Sequence, residues 1–184
     1  MTRALLVVAA VLAVATPALA RVLEGVSMPD QVERQGTELI LNGMGLRKRL
    51  VFDVYVAGLY VETPSKNPQE LIRSDQTKHI QLFMLRDLDA QQVARAIREG
   101  FEKNSAAQMD QLEGRLRQLS GALEDVKRGE VLSLTYVPGE GTTLASKGEK
   151  LTVIEGEDFA HALFRVWLGE NPVDRGLKRG LLGY

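Results

Sequence analysis

The sequence contains no cysteine and only two histidines, His79 and His161, among its 184 residues. Without cysteine there is no disulfide framework, no thiol nucleophile, no iron–sulfur cluster and no cysteine-linked lipid. The two histidines are far apart in the sequence, which argues against a zinc site. Because these absences remove much common enzyme chemistry, we predict no metal site, no cofactor and no catalytic residue set.

The chain also lacks an excess of charge of one sign. It has 23 Lys and Arg against 24 Asp and Glu, which gives a formal net charge of −1. A protein that binds nucleic acid electrostatically needs a basic stripe, and the scattered charges here form none. We therefore predict no nucleic-acid partner. With 45% hydrophobic and 26% charged residues, the composition is that of one soluble globular domain.

One apolar run stands at the N-terminus. Residues 4–15 are apolar or small, Arg3 is the single charge before them, and the run ends in Ala18-Leu19-Ala20. A transmembrane helix needs about 20 apolar residues, whereas small residues at −3 and −1 suit a signal peptidase. We predict that residues 1–20 are a signal peptide and that residues 21–184 form one exported domain. This domain would be periplasmic or secreted and not stably inserted in a membrane. An uncleaved N-terminal anchor is the alternative.

The remaining sequence indicates strands, then helices, then strands, then helices. Residues 50–61 are apolar on both faces, as in a central strand, and Asp89 with Gln92 resembles a helix capping box. Asn171 and Pro172 suit the cap and first residue of a last helix. Because no βαβ alternation is visible, we predict an α+β fold, with an antiparallel sheet and helices mainly on one of its faces. The predicted segments are strands within 21–61, 78–85 and 130–154, a helical turn at 70–73, and helices at 90–103, 109–123, 158–168 and after 172.

Arg47, Lys48 and Arg49 are three cations between apolar strand segments. Arg47 and Arg49 share a parity, so they point to one face of a regular strand. Two interpretations are open. In the first, the cations are charged gatekeepers, residues that keep a sheet edge from pairing with another chain. In the second, they present a guanidinium fork at the mouth of an apolar pocket, suited to a planar carboxylate.

Four segments, in the same order along the chain, resemble the chalcone isomerase fold family and especially its bacterial chalcone isomerase-like branch. They are residues 41–47 (LNGMGLR), 52–62 (FDVYVAGLYVE), 83–92 (FMLRDLDAQQ) and 164–172 (FRVWLGENP). The resemblance implies an open-faced β-sandwich, in which an antiparallel sheet is layered with helices around a ligand cleft. This agrees with the α+β prediction from the residue pattern.

Few of the family's catalytic residues are present at the matching positions of this chain. The arginine of plant chalcone isomerases is matched by Arg47. Their threonine, tyrosine, asparagine and late threonine fall on Tyr55, Val93, Gly100 and Val166. Closing a phenolate onto an enone needs polar groups that stabilise the developing enolate, and Val and Gly donate no side-chain hydrogen bonds. The matched positions therefore favour a protein that is not a chalcone isomerase.

Fatty-acid-binding members of this fold hold a carboxylate with an arginine and a tyrosine over an apolar cavity, and Arg47 with Tyr55 resembles that pair. The resemblance implies an exported, non-catalytic binding protein for a small amphipathic ligand such as a fatty acid. We expect Arg47, Tyr55 and Arg49 at the acidic head. The apolar tail would lie against residues 50–61 and against the helix face formed by Val93, Ile97 and Phe101.

Three other functions stay open at this point, as do the identity of the ligand and the oligomeric state. One is an isomerase, an intramolecular lyase, that uses a different residue set. Another is a protein that binds haem or another planar hydrophobic ligand, with His79 or His161 as an axial ligand. The third is a structural partner protein that holds no small ligand.

Overall fold

The computed structural model describes residues 19–184, so most of the predicted signal peptide lies outside the described residues. The strands are β1 (Ala20–Leu23), β2 (Val26–Pro29), β3 (Gln31–Arg34), β4 (Thr37–Arg49), β5 (Phe52–Val61), β6 (Lys78–Met84), β7 (Val131–Val137), β8 (Gly141–Ser146) and β9 (Glu149–Ile154). The α-helices are α1 (Pro68–Arg73), α2 (Ala90–Ser105), α3 (Met109–Ala122), α4 (Glu157–Leu168) and α5 (Arg175–Leu181).

Strands β3 to β9 form one antiparallel seven-stranded sheet in which spatial order follows chain order. Strand β5 lies between β4 and β6, and its residues from Val54 to Val61 are buried. This confirms the central strand predicted from two apolar faces. The five helices pack mainly on one face of the sheet, which confirms the α+β prediction.

A hairpin of β1 and β2 covers part of the other face. Its Val26 and Met28 pack with Val56 and Tyr60 of the central strand. A side chain at Gly58 would collide with the sulfur of Met28, so the glycine allows this close approach. The two faces of the sheet therefore carry separate apolar cores, and the larger one lies under the helices.

Helix α2 begins where the sequence predicts. The Asp89 side chain accepts a hydrogen bond from the Gln92 backbone, and the Gln92 side chain accepts one from the Asp89 backbone. Among the described residues, no helix is both long enough and apolar enough to cross a membrane.

The predicted starts of the central strand and of the last helix are wrong. The central strand begins at Phe52, because Leu50 and Val51 form a two-residue turn after β4. The last helix begins at Arg175, and its cap is Asp174, which accepts a hydrogen bond from the Leu177 backbone. Residues 171–172 are not its start, because both backbone polar groups of residue 171 bond to a side chain on α2.

Candidate functional site

A cavity of about 350 Å³ lies between the sheet and helices α2 and α4. This volume falls within the range of about 300–1,000 Å³ that is typical of small-molecule sites. Five of the residues that the sequence predicts to contact a ligand line this one cavity: Arg47, Arg49, Tyr55, Val93 and Ile97. The structure therefore brings them together, while their role in binding stays a prediction.

Arg47 lies at the polar end of the cavity, opposite Tyr55 in the pairing of β4 with β5. Its guanidinium carbon is 5.4 Å from the centre of the Tyr55 ring, a cation–π contact. The Nε atom is buried and has no hydrogen-bond partner among the described residues. A buried donor without an acceptor costs about 1–3 kcal/mol, so this atom marks a place that suits an anionic acceptor.

The Tyr55 hydroxyl is a second donor at the same end. It accepts a hydrogen bond of 2.9 Å from Nε1 of Trp167 on α4. Burial raises the pKa of Tyr55, and the nearby Arg47 charge opposes that rise. A protonated hydroxyl that accepts one bond keeps its hydrogen to donate, and no acceptor for it is found in residues 19–184. Arg47 and Tyr55 together therefore offer two donors to one carboxylate.

The rim of the cavity carries further charge. Arg49 and Arg86 both line it, and the Arg86 guanidinium carbon lies 4.7 Å from the centre of the Phe52 ring. Asp87 also lies at the rim. A hydrogen bond from the Arg128 backbone lowers the pKa of Asp87, and Lys127 lies 3.5 Å away. The mouth is thus cationic, with its acid already paired.

The walls of the cavity are apolar. They come from three neighbouring strands, two helices and the segment after α4: Val54, Leu82, Met84, Leu132, Leu134, Val93, Ala96, Ile97, Val166 and Val173. Phe101 does not line the cavity, contrary to prediction, because it is buried deeper and packs against Phe159 at a ring distance of 5.4 Å. An apolar chain attached to a carboxylate at Arg47 would lie against these walls.

The positions that match catalytic residues of plant chalcone isomerases meet at this cavity. Tyr55, Val93 and Val166 line it. Gly100 lies behind Val166, since a Cβ on this glycine would be 2.8 Å from either Val166 methyl group. These replacements make this part of the cavity apolar, and valine and glycine side chains offer no hydrogen bond to a developing enolate.

Neither histidine lines the cavity. His79 lies on the other face of the sheet, where its Nδ1 is 2.8 Å from Thr135 Oγ1 and burial lowers its pKa to about 3. His161 lies on α4 with its Nε2 3.4 Å from Glu157, and burial lowers its pKa too. The alternative of haem in this cavity therefore has no axial histidine there.

Sequence reasoning missed two residues of the site. Trp167 and Arg86 lie in two of the segments that carry the family resemblance, but nothing in the sequence marks either of them as a ligand-binding residue. The available signals were that Trp167 is the single tryptophan of the chain and that Arg86 directly follows a strand next to β5. Neither signal identifies the cavity without the fold.

The fold is therefore an antiparallel sheet layered with helices over an apolar cavity, with an arginine and a tyrosine at one end of that cavity. The chain belongs to the chalcone isomerase-like family, whose model matches residues 20–183. This confirms the family predicted from the four segments. A search of curated proteins found no match.

The fold is similar to that of solved structures. One is the crystal structure of a fatty-acid binding protein from Arabidopsis thaliana, with a TM-score of 0.71 and 20% sequence identity. The alignment covers 89% of this chain and 96% of that chain. At this identity, the similarity establishes the shared fold.

Proposed function

We propose that the protein binds an amphipathic carboxylate of the fatty-acid type and does not catalyse a reaction on it. The observation that carries the proposal is the buried Arg47 Nε without a partner, beside the Tyr55 hydroxyl at the end of an apolar cavity. The similarity of the fold to a fatty-acid binding protein supports it.

The two parts of such a ligand contribute differently. A hydrogen bond to a charged group is worth about 1.5–3 kcal/mol net, whereas each buried methylene contributes about 0.8 kcal/mol. Tail length therefore dominates the affinity, and Arg47 sets the preference for acids over other head groups.

The test is isothermal titration calorimetry with dodecanoate and with dodecanol, which have the same tail. Arg47→Ala should weaken dodecanoate binding roughly tenfold to a few hundredfold, while dodecanol, which has no charge to pair, loses much less. Arg95→Ala is the matched control, because Arg95 is exposed on α2 and does not line the cavity. Arg49 is unsuitable as a neutral control because it lines the rim.

Equal dodecanoate affinity in Arg47→Ala and the unchanged protein would show that Arg47 does not hold the carboxylate. The interpretation of Arg47 to Arg49 as charged gatekeepers of a sheet edge would then replace that role. Loss of dodecanoate and dodecanol binding in equal measure would show that Arg47 shapes the cavity rather than recognising the acid.

The non-catalytic part of the proposal has its own test. Because Val93, Gly100 and Val166 replace polar groups, the purified protein should not speed chalcone cyclisation appreciably above the solution rate. Loss of one transition-state donor typically costs about 10²–10³ in rate. Turnover near that of a plant enzyme, followed by chalcone absorbance, would favour the isomerase alternative.

We also propose that the domain acts after export, in the periplasm or outside the cell, with residues 1–20 removed. The short apolar run ending in Ala18-Leu19-Ala20 supports this proposal. Mass spectrometry of the protein from its own host should find Arg21 as the first residue. An intact Met1 on membrane-bound protein would instead favour the uncleaved anchor.

A further inference from the structure

The turn between β4 and β5 exposes three consecutive apolar side chains. Leu50 is 90% exposed, Val51 is 87% exposed and Phe52 is 53% exposed. Among the described residues, seven large hydrophobic side chains are exposed, and these three form a continuous group at the end of a hairpin. Such a patch marks an interaction site more often than scattered apolar residues do. We call residues 49–52 the hairpin tip.

The backbone of the hairpin tip is also unfavourable for the residue it carries. Leu50 has a φ of +55°, in the left-handed region that favours glycine or asparagine in two-residue hairpin turns. A bulky leucine in this conformation destabilises the backbone sterically, and its apolar side chain is unfavourably exposed to water. Neither the turn geometry nor packing within the protein accounts for a leucine at this position.

Cations without acidic partners surround the apolar tip. Within residues 19–184, neither Arg49 nor Arg86 forms a salt bridge, and Arg86 stacks on Phe52. The acids nearby already have partners: Asp53 lies 3.5 Å from Lys48, Asp87 lies 3.5 Å from Lys127, and Asp174 accepts hydrogen bonds from the backbones of residues 48 and 177. The tip is therefore locally positive in a chain whose formal net charge is −1.

We propose that the hairpin tip docks on a bilayer that contains anionic phospholipid. Leu50 and Val51 form the apex, where they would enter the boundary between head groups and acyl chains. Arg49 is one residue behind the apex and Arg86 stacks behind it on Phe52, at the depth of the phosphates. An apolar apex with cations behind it suits a bilayer interface, whereas an acidic protein surface would leave the apex unburied.

The hairpin tip lies at the rim of the cavity. Arg49, Leu50 and Phe52 belong both to the tip and to the rim of the cavity, so docking places the mouth of the cavity at the lipid surface. If the proposed carboxylate binding is correct, the ligand passes between bilayer and cavity at this point. The docking itself does not depend on that ligand.

The absence of cysteine allows a site-specific test. Val51→Cys carries the single thiol of the chain and can be labelled with the environment-sensitive fluorophore nitrobenzoxadiazole. Gln35→Cys is the control: Gln35 is also exposed and lies in the β3–β4 turn at the other end of β4. The 13 residues of β4 separate the two turns by about 40 Å.

The labelled proteins, purified after export and with their N-termini checked by mass spectrometry, are mixed with phosphatidylcholine vesicles with or without phosphatidylglycerol. The label at Val51→Cys should shift to the blue and brighten with phosphatidylglycerol vesicles, and added salt should reverse this. The label at Gln35→Cys should not change. Because the two proteins share one N-terminus, the difference between them reports the hairpin tip.

Substitutions then measure the strength of docking by vesicle sedimentation. Val51→Asp should lower partitioning onto phosphatidylglycerol vesicles at least roughly tenfold, because a valine that docking would bury in the bilayer is replaced by a charge that anionic lipid repels. Gln35→Asp adds the same charge at the far turn and should have little effect. Arg86→Ala should lower partitioning roughly fivefold, the value of about one cation near an anionic surface.

Several results would overturn the proposal. They are no spectral change at Val51→Cys, an equal change at Gln35→Cys, or a change that grows with protein concentration without lipid, which would indicate contact with a second copy of the chain. Val51 does not line the cavity, so dodecanoate titration of Val51→Asp without vesicles tests carboxylate binding separately. Failure of docking and failure of the proposed function are therefore distinguishable.

Discussion

Arg47 and Lys78 are cations on the helix-covered side of the same sheet, at its opposite ends. The amine of Lys78, a fully buried residue, donates hydrogen bonds of 3.0 Å to the carbonyls of Ile72 and Ser74 at the end of α1. It also lies 5.1 Å from the centre of the Tyr136 ring. The buried Nε of Arg47 has no partner among the described residues. Within the part of the chain that the structure describes, the fold supplies acceptors for the Lys78 amine and none for the Nε of Arg47.

This difference separates a structural cation from a candidate binding cation. Lys78 satisfies carbonyls that the end of α1 leaves without helical partners, so its role is complete within the chain. Arg47 lies where helices and sheet leave a cavity, so its donor points to a ligand rather than to the fold. Burial of a charge alone does not identify a site; the absence of an acceptor beside a cavity does.

The largest effect is expected at the structural end. Lys78→Ala removes a long buried side chain and leaves two carbonyls without a donor, so it should lower the free energy of unfolding by about 2–5 kcal/mol. Lys66→Ala is the matched control, because Lys66 also lies over an aromatic ring, that of Tyr184, but is exposed. Urea unfolding measures both. A similar small loss in the two variants would mean that Lys78 is not structural.

The same lysine should give the protein a pH-dependent stability. Burial lowers the pKa of Lys78 from 10.5 to about 8. Between these values the unfolded chain binds more protons than the folded one, so stability should rise as the pH increases through this window. The full rise is about 3 kcal/mol.

Lys78→Met provides the comparison for this pH dependence, since methionine does not titrate. Its stability should lack the rise between pH 8 and pH 10. Above that range, tyrosine ionisation also affects stability. Burial raises the pKa of Tyr60 to about 12 in the folded chain, so this tyrosine ionises more easily in the unfolded chain than in the folded one. An equal pH slope in Lys78→Met and the unchanged protein would assign the effect to other groups.

At the binding end, stability and binding should separate. Arg47→Ala removes a donor that has no acceptor, so the free energy of unfolding should change by less than about 1 kcal/mol or increase. Dodecanoate binding should fall in the same variant, as proposed above. A destabilisation as large as that of Lys78→Ala would show that Arg47 also holds the fold together and would remove the distinction between the two ends.

Much of the architecture follows from local sequence signals. The apolar faces of the central strand, the capping box of α2 and the turn residues predict the sheet and helices correctly, because each signal lies within a few neighbouring residues. The family resemblance adds Arg47 and Tyr55, which the structure places opposite each other. Their shared cavity follows once β4 and β5 pair.

Other features depend on contacts between distant residues or on local irregularity. Trp167 donates to Tyr55 from 112 positions along the chain, and no local pattern contains that pair. The register of β4 and β5 shifts after the Arg47–Tyr55 pair, so Val54 has no partner on β4. This bulge puts Val54 beside Tyr55 in the cavity, whereas strict alternation predicts opposite faces.

Two glycine substitutions test whether the binding end is loosely packed everywhere or only along the ligand's path. A Cβ on Gly100 would lie 2.8 Å from Val166 methyl groups, so Gly100→Ala should cost about 1–3 kcal/mol. Gly114 on α3 has no atom within 4 Å of such a Cβ, so Gly114→Ala should stabilise by about 0.5–1 kcal/mol through helix propensity.

A double variant completes this test. Val166→Ala removes the methyl groups that Gly100→Ala would meet, so the loss from Gly100→Ala should shrink in the Val166→Ala background, as measured by urea unfolding. An equal loss in both backgrounds would mean that something other than Val166 limits the space at Gly100. Coupling between the two positions would show that Gly100 and Val166 pack tightly directly behind the cavity wall.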